Sequence, residues 1–174
     1  MNIFVTDLDP FIAAKNLCDV HVIKMILETC QLLSTQDRLN GLTGDRYKST
    51  HINHPCRKCL DNEYNYIWLQ YHLYGLCQEY TYRYGKIHKS QSLLEKYWLR
   101  NDANDLYNNK LDFVENYSEL LDLTTFPCCA TGNFKKVSTD IFDVIKFYRN
   151  YYELKKNKLF RFTYKNRNTP DWLS

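Results

Sequence analysis

The sequence predicts a mainly α protein folded as one compact multi-helix domain, residues 1–174, with a short N-terminal strand or arm and long functional loops. Three observations carry that prediction. The chain has the length of one domain and no Pro/Gly/Ser linker, low-complexity run or fixed-period repeat divides it. Several segments of helical length are bracketed by cap and stop residues. Clear β-prone character is confined to "NIFVTD" near the start, with the tail offering a further short strand or a docked arm.

Taken in order, "DLDPFIAAKNL" offers Asp9 as N-cap and Pro10 at the first helical position. A helix is predicted from about Asp19 to Asp37, ended by "NGLTG". "DRYKSTHINHPCRKC" has turn residues, no apolar period and a His-Pro step, so it reads as a loop. A long aromatic helix follows from Asp61 to about Tyr84, with Gly85 placed to terminate it. "SLLEKYWLR" and "DLYNNKLDFVENYSELLDL" read as two shorter helices and "TTFPCCATGN" as a loop. "STDIFDVIKFYRNYYELKK" has Ser138, Thr139 and Asp140 as cap candidates and reads as helix to about Lys156. "FRFTYKNRNTPDWLS" closes the chain.

Composition narrows the function classes. A net charge of +3 permits a nucleic-acid partner without requiring one. Fifteen tyrosines suit half-buried surfaces or stacking on bases, and equally a tyrosine-filled core. The N-terminus lacks a basic region followed by an apolar core, and no run reaches membrane-spanning length, so no membrane role is expected. Seven cysteines, an odd number, in such a chain argue for reduced thiols and a cytoplasmic protein. With five glycines and no phosphate-cradling loop, G-x-S-x-G or H-E-x-x-H, P-loop, Rossmann, serine-hydrolase and zincin readings fall away.

The segment "CDVHVIKMILETCQ" carries the chemistry. At roughly 100° per residue, His21, Lys24, Glu28 and Gln31 fall within a sector of about 80°, and Thr35 extends the line. Most of the remaining circumference is apolar, which predicts a buried helix with one polar stripe. That stripe is either the wet side of an amphipathic helix or an acid–base set facing a cleft. In the aromatic helix, Asn65, Trp68, His72, Glu79, Arg83 and Lys86 share one side, and in the last helix Tyr148, Tyr151 and Lys155 do. Converging stripes would make one cationic pocket with a carboxylate inside, suited to a phosphate-bearing ligand.

"HINHPCRKC" adds His51, His54, Cys56 and Cys59. Loop histidines contacting phosphate, with cysteines as small buried filler, are one reading. Zinc held by a set such as Cys18, His21, His54 and Cys56 is the alternative. "PCRKC" matches half of the zinc deaminase pattern, but no histidine is followed two residues later by glutamate, which excludes that chemistry.

The motifs "DLDP", "CDVHVIKMILE", "HINHPC", "NYIWL", "LCQEYTYRYGKIHKS" and the closing "YRNYYELKK" and "KNRNTPDW" resemble a family of small proteins encoded by tailed phages and other large DNA viruses. The resemblance spans nearly the whole chain, more weakly through residues 91–125. It implies a virus-encoded accessory protein working in the host cytosol.

A second resemblance is remote: "DVHVIKMILE" is similar to the Asp-x-His…Glu segment of phage pyrimidine-dimer DNA glycosylases. That resemblance implies a small, all-α, metal-free enzyme. Its N-terminal α-amine would attack the sugar C1′ and form a Schiff base, after which the glycosidic and then the phosphodiester bond breaks. Glu28 would be the acid–base carboxylate and His21 a DNA-contacting group. The nucleophile would be the amine of Met1 or Asn2, and Asn2 disfavours removal of the initiator methionine; Lys24 could substitute if its amine lies in an apolar pocket.

The leading expectation is an enzyme acting on nucleic acid or a nucleotide, needing no cofactor, most concretely by glycosidic-bond or lyase chemistry at a DNA base. Glu28, Lys24 and His21 would be catalytic. His51, His54, Asn65, Trp68, Arg83, Lys86, Tyr148, Tyr151, Lys155, Lys165 and Arg167 would hold phosphate and stack on a base. Two alternatives stand beside it: a non-catalytic protein sequestering a nucleotide second messenger, and a virion or host-interaction module whose stripes are only surface.

Overall fold

The computed structural model of the chain describes residues 1–98, 126–129, 140–156 and 162–173, and regular structure among them is entirely helical. Residues 1–6 are an arm rather than a strand. The amide of Val5 donates to the Ile3 carbonyl at 3.1 Å and that of Thr6 to Phe4 at 3.0 Å, a two-residue step that no β ladder makes. The arm is nonetheless core, because Ile3, Phe4 and Val5 are buried. Its β-branched and aromatic side chains fill space between helices instead of pairing with a neighbour.

Helix α1 (Pro10–Lys15) starts as predicted: the Asp9 carboxylate accepts from the amides of Phe11 and Ile12, and Pro10 takes the first turn. Helix α2 (Asp19–Leu39) follows, with Asp19 in its positive first turn. The predicted loop contains a one-turn helix, α3 (Pro55–Lys58), and then a 3-10 turn, Cys59–Asp61. Its start signal is His54, whose ring Nδ1 accepts from the amide of Cys56 at 3.1 Å, a capping role that a motif read for ligands conceals. Buried Arg57 ties the turn down, donating to the carbonyl of Ile52, to Gln36 at the end of α2, and to Asp61.

Helix α4 (Glu63–Tyr84) is capped by Asn62 and ends at Gly85 with φ +63°, as its sequence predicts. It crosses α1 closely, since a Cβ on Gly75 would lie 3.1 Å from Ala14 Cβ and 3.3 Å from Phe11 Cα. A short α5 (Gln91–Leu93) runs into a π-helical turn, Leu94–Trp98, where one plain helix is predicted. Helix α6 (Ile141–Lys156) begins with the Asp140 carboxylate accepting from the amide of Phe142. The helix predicted over "DLYNNKLDFVENYSELLDL" and most of "TTFPCCATGN" lie outside the described residues.

The tail is a docked arm. The Asp19 amide donates to the Thr163 carbonyl at 2.9 Å, the Asp19 carboxylate accepts from the Lys165 amide, and Tyr164 donates to the Asn16 carbonyl. One apolar cluster runs from the N-terminal arm through α2, α4 and α6 to Leu173. No described helix is long and apolar enough to cross a membrane.

Helix α2 corrects the expectation of burial nearly all round. Val22, Met25, Ile26, Thr29, Cys30, Leu32 and Leu33 face the core, but Val20, Ile23 and Leu27 are exposed. They continue the Lys24 side of the helix into an open face of mixed character.

Candidate active site

The arm delivers Met1 to the open face of α2. The α-amine of Met1 lies 4.0 Å from Glu28 Oε2, and Lys24 Nζ lies 3.2 Å from Glu28 Oε1. One carboxylate therefore stands between two amines. They differ in setting: the Met1 side chain is 6% exposed and that of Lys24 is 68% exposed, with Glu28 at 15%. Lys24 is not in an apolar pocket, so the argument for its activation by desolvation is not met.

Packing and hydrogen bonds fix the amine. Phe4 stacks on His21 with ring centroids 4.4 Å apart and meets Tyr148 and Tyr152 edge-on. Arg149, on α6, donates to the Thr6 carbonyl at 2.9 Å and to the Asp7 carboxylate at 3.1 Å. The Cys56 thiol donates to the Met1 carbonyl at 3.8 Å.

His21 sits inward of this pair, its Nδ1 2.6 Å from Tyr152 Oη. Burial, then the nearby Lys24 charge, pushes its pKa down to about 4. It is a neutral ring at pH 7, fit to position Phe4 and the arm rather than to hold phosphate as a cation. His54 is also pushed down, first by burial, then by the α-amine and His51, while Glu28 opposes the shift. His54 is linked to the first residue through Cys56, whose amide donates to His54 and whose thiol meets the Met1 carbonyl. His51 is exposed, with φ +51°, and its carbonyl accepts the His54 amide at 2.8 Å. Cys129 reaches the same place, its sulfur within 4.8 Å of the Cys56 sulfur, and the neighbouring Cys56 thiol holds the Cys129 thiol below its usual range. The Cys56 thiol is driven up by the proximity of Cys129 and by burial.

The other predicted ligand residues go elsewhere. Asn65 is buried and donates to the Cys59 carbonyl at 2.9 Å, and buried Trp68 donates to the Leu8 carbonyl at 2.7 Å. Neither presents a face to a base. Arg83 is fully buried and bonds to Glu79, Asp19 and the carbonyls of Leu17 and Lys15. Arg167 reaches Glu79 with two nitrogens, at 3.0 and 2.6 Å, and covers the Tyr82 ring. Lys165 Nζ lies over the Tyr84 ring, and Lys86 is exposed. Buried Tyr148 donates to the Pro127 carbonyl, half-buried Tyr151 meets Phe4 at 5.8 Å, and Lys155 Nζ lies over Tyr151. The stripes therefore divide between two places: Tyr148 and Tyr151 back the arm near Glu28, whereas Arg83, Lys165 and Arg167 assemble around Asp19 and Glu79.

Among the described residues, the His, Cys, Asp or Glu side chains close enough to share a metal ion are His54, Cys56 and Cys129, with ligand atoms within 4.8 Å of one another. Cys18 and His21, from the predicted alternative set, are not in that group. Cys129 had no signal in the sequence beyond its type, because only the tertiary fold brings it to α3.

Fold and site together define a small helical protein with an amine–carboxylate pair at its surface. Residues 1–92 match the family model of pyrimidine dimer DNA glycosylase, and the chain belongs to that DNA-acting family. The match takes in the arm, α1 to α4 and every residue of the amine–carboxylate pair, and leaves α6 outside. No curated protein and no solved structure matches the chain.

Proposed function

We propose that the chain is a DNA glycosylase with lyase activity, using the α-amine at the start of the arm as nucleophile and Glu28 as proton carrier. The observation that carries this reading is the α-amine 4.0 Å from Glu28 Oε2. As a class, α-amines titrate near ~8 and lysine side chains near ~10.4, so an α-amine offers a neutral lone pair far more often at neutral pH.

The amine lone pair attacks C1′ of the damaged nucleotide and forms a C–N bond as the base leaves with the glycosidic electron pair and a proton. Loss of the amine proton and opening of the sugar ring give an iminium. Removal of a C2′ proton then expels the 3′ phosphate. Glu28 accepts and returns these protons, a role its 4.0 Å distance from the α-amine supports. Lys24, wet and 3.2 Å from Glu28, stabilises the carboxylate and offers a cation to the backbone. The nucleotide must leave the stack to reach C1′, and a distorted pyrimidine dimer lowers that cost.

Borohydride trapping on duplexes with an abasic site or a cyclobutane pyrimidine dimer tests the proposal, with peptide mapping of the adduct. Intact mass shows which residue bears the amine. An adduct on the first peptide, surviving Lys24→Ala, is expected. An adduct on Lys24 overturns the nucleophile, and neither adduct nor cleavage on either duplex overturns the activity.

A further inference from the structure

We propose that His54, Cys56 and Cys129 form a binding site for a thiophilic metal ion, zinc in the first instance, at the edge of the amine–carboxylate pair. The ligand atoms already lie within 4.8 Å of one another. Tetrahedral zinc, with bonds of ~2.3 Å to sulfur and ~2.0–2.1 Å to nitrogen, sets its ligands roughly 3.3–3.8 Å apart. The group must therefore contract by no more than side-chain rotation supplies.

The chemistry of the set fits. Two sulfurs and one imidazole favour zinc over magnesium or calcium. His54 Nδ1 carries no proton because it accepts from the Cys56 amide, and ligation through that nitrogen exchanges this hydrogen bond for the bond to the metal. Cys56 is fully buried, while His54 and Cys129 are half-buried, so an ion can enter from solvent and end against protein. The supports around the ligands are in place. Tyr148 accepts from the Cys129 amide at 3.4 Å and donates to the Pro127 carbonyl at 2.7 Å, which fixes the Cys129 segment. Cys59 is turned away, its thiol donating to the Cys56 carbonyl at 3.2 Å.

Three protein ligands leave the fourth position of a tetrahedral ion open. The Cys56 thiol touches the Met1 carbonyl, so an ion on that sulfur stands beside the first residue. The two thiolates neutralise the ion, and its open position takes the lone pair of the α-amine of that residue, which then cannot attack C1′. Occupancy therefore suppresses the proposed Schiff-base step, and this clause alone rests on the glycosylase reading.

The test begins without DNA. Phosphine-reduced protein is titrated with zinc under native mass spectrometry, and with cobalt for thiolate-to-cobalt charge-transfer absorption. One ion per chain is expected, with charge transfer from two thiolates. Cys129→Ser and His54→Gln should each weaken binding on the order of tenfold or more, while Cys128→Ser and Cys59→Ser should retain it. No stoichiometric ion, no charge-transfer band, or unchanged binding in a folded Cys129→Ser or His54→Gln protein overturns the site. Zinc is then added to borohydride trapping. Trapping that falls with occupancy in the parent but not in Cys129→Ser supports the inhibitory role, and trapping that ignores a bound ion overturns that role while leaving the site.

Discussion

Replacing Arg83 separates a structural cation from a DNA-binding one. Arg83 is fully buried, with its guanidinium 3.1 Å from Glu79, 3.0 Å from Asp19, and 2.8 and 3.0 Å from the carbonyls of Leu17 and Lys15. Arg83→Met keeps the volume and removes all four bonds. Glu79 retains Arg167 and Asp19 retains the Lys165 amide, so neither carboxylate is abandoned. The two carbonyls lose their donors at about 1–3 kcal/mol each, and breaking a buried pair alone costs about 3–5 kcal/mol. Because those terms overlap, the expected loss is about 4 kcal/mol, a large part of the 5–15 kcal/mol typical of a domain. Urea unfolding reads it as a lower midpoint at unchanged slope. The Arg83→Lys protein should fall between the two, since one ammonium cannot reach all four acceptors. A midpoint within about 0.5 kcal/mol of the parent, with a salt dependence of DNA binding shallower by about one phosphate contact, would refute the structural assignment and restore Arg83 to the DNA interface.

Glu28→Gln should lower single-turnover cleavage by about 10²–10⁴-fold while leaving DNA affinity within about twofold. Acid should destabilise the fold below pH 6.5. His21 and His72 have folded pKa values pushed down by burial to about 4 and about 3, so the unfolded chain takes up protons that the folded chain refuses. Stability is therefore full above 6.5 and lost progressively as pH falls towards those values. His72 stacks on Trp68 at 4.9 Å, and neither ring nitrogen has a hydrogen-bond partner among the described residues. His72→Phe should accordingly flatten the acid slope of unfolding and leave stability at pH 7 equal or higher. A slope unchanged by that substitution would remove His72 from the account. Gly75→Val should cost about 2–3 kcal/mol in thermal or urea unfolding, because its side chain has to displace α1.

Local chemistry was legible in the sequence and tertiary address was not. Asp9, Pro10 and Gly85 marked helix ends because caps act within a turn of themselves. The seven-residue spacing of His21 and Glu28 pointed to the family that the match over residues 1–92 shows. The same periodicity put Arg83 and Glu28 in equivalent polar stripes, yet one faces a buried carboxylate cluster and the other an open surface. Stripe membership depends on spacing alone, whereas burial depends on which element packs alongside. Val20, Ile23 and Leu27 show the converse, since apolar character did not secure a partner. Cys129 and Arg149 meet the arm only after the chain has returned from α4, a contact that no window of sequence contains.

The arm's anchors also set an order on synthesis. Arg149, which holds Thr6 and Asp7, and Thr163, which receives the Asp19 amide, are translated long after the arm itself. A nascent chain can form α1, α2 and α4 on the ribosome while its α-amine still lacks its seat. The seat of the arm is therefore completed late, after the helix that carries Glu28 has formed.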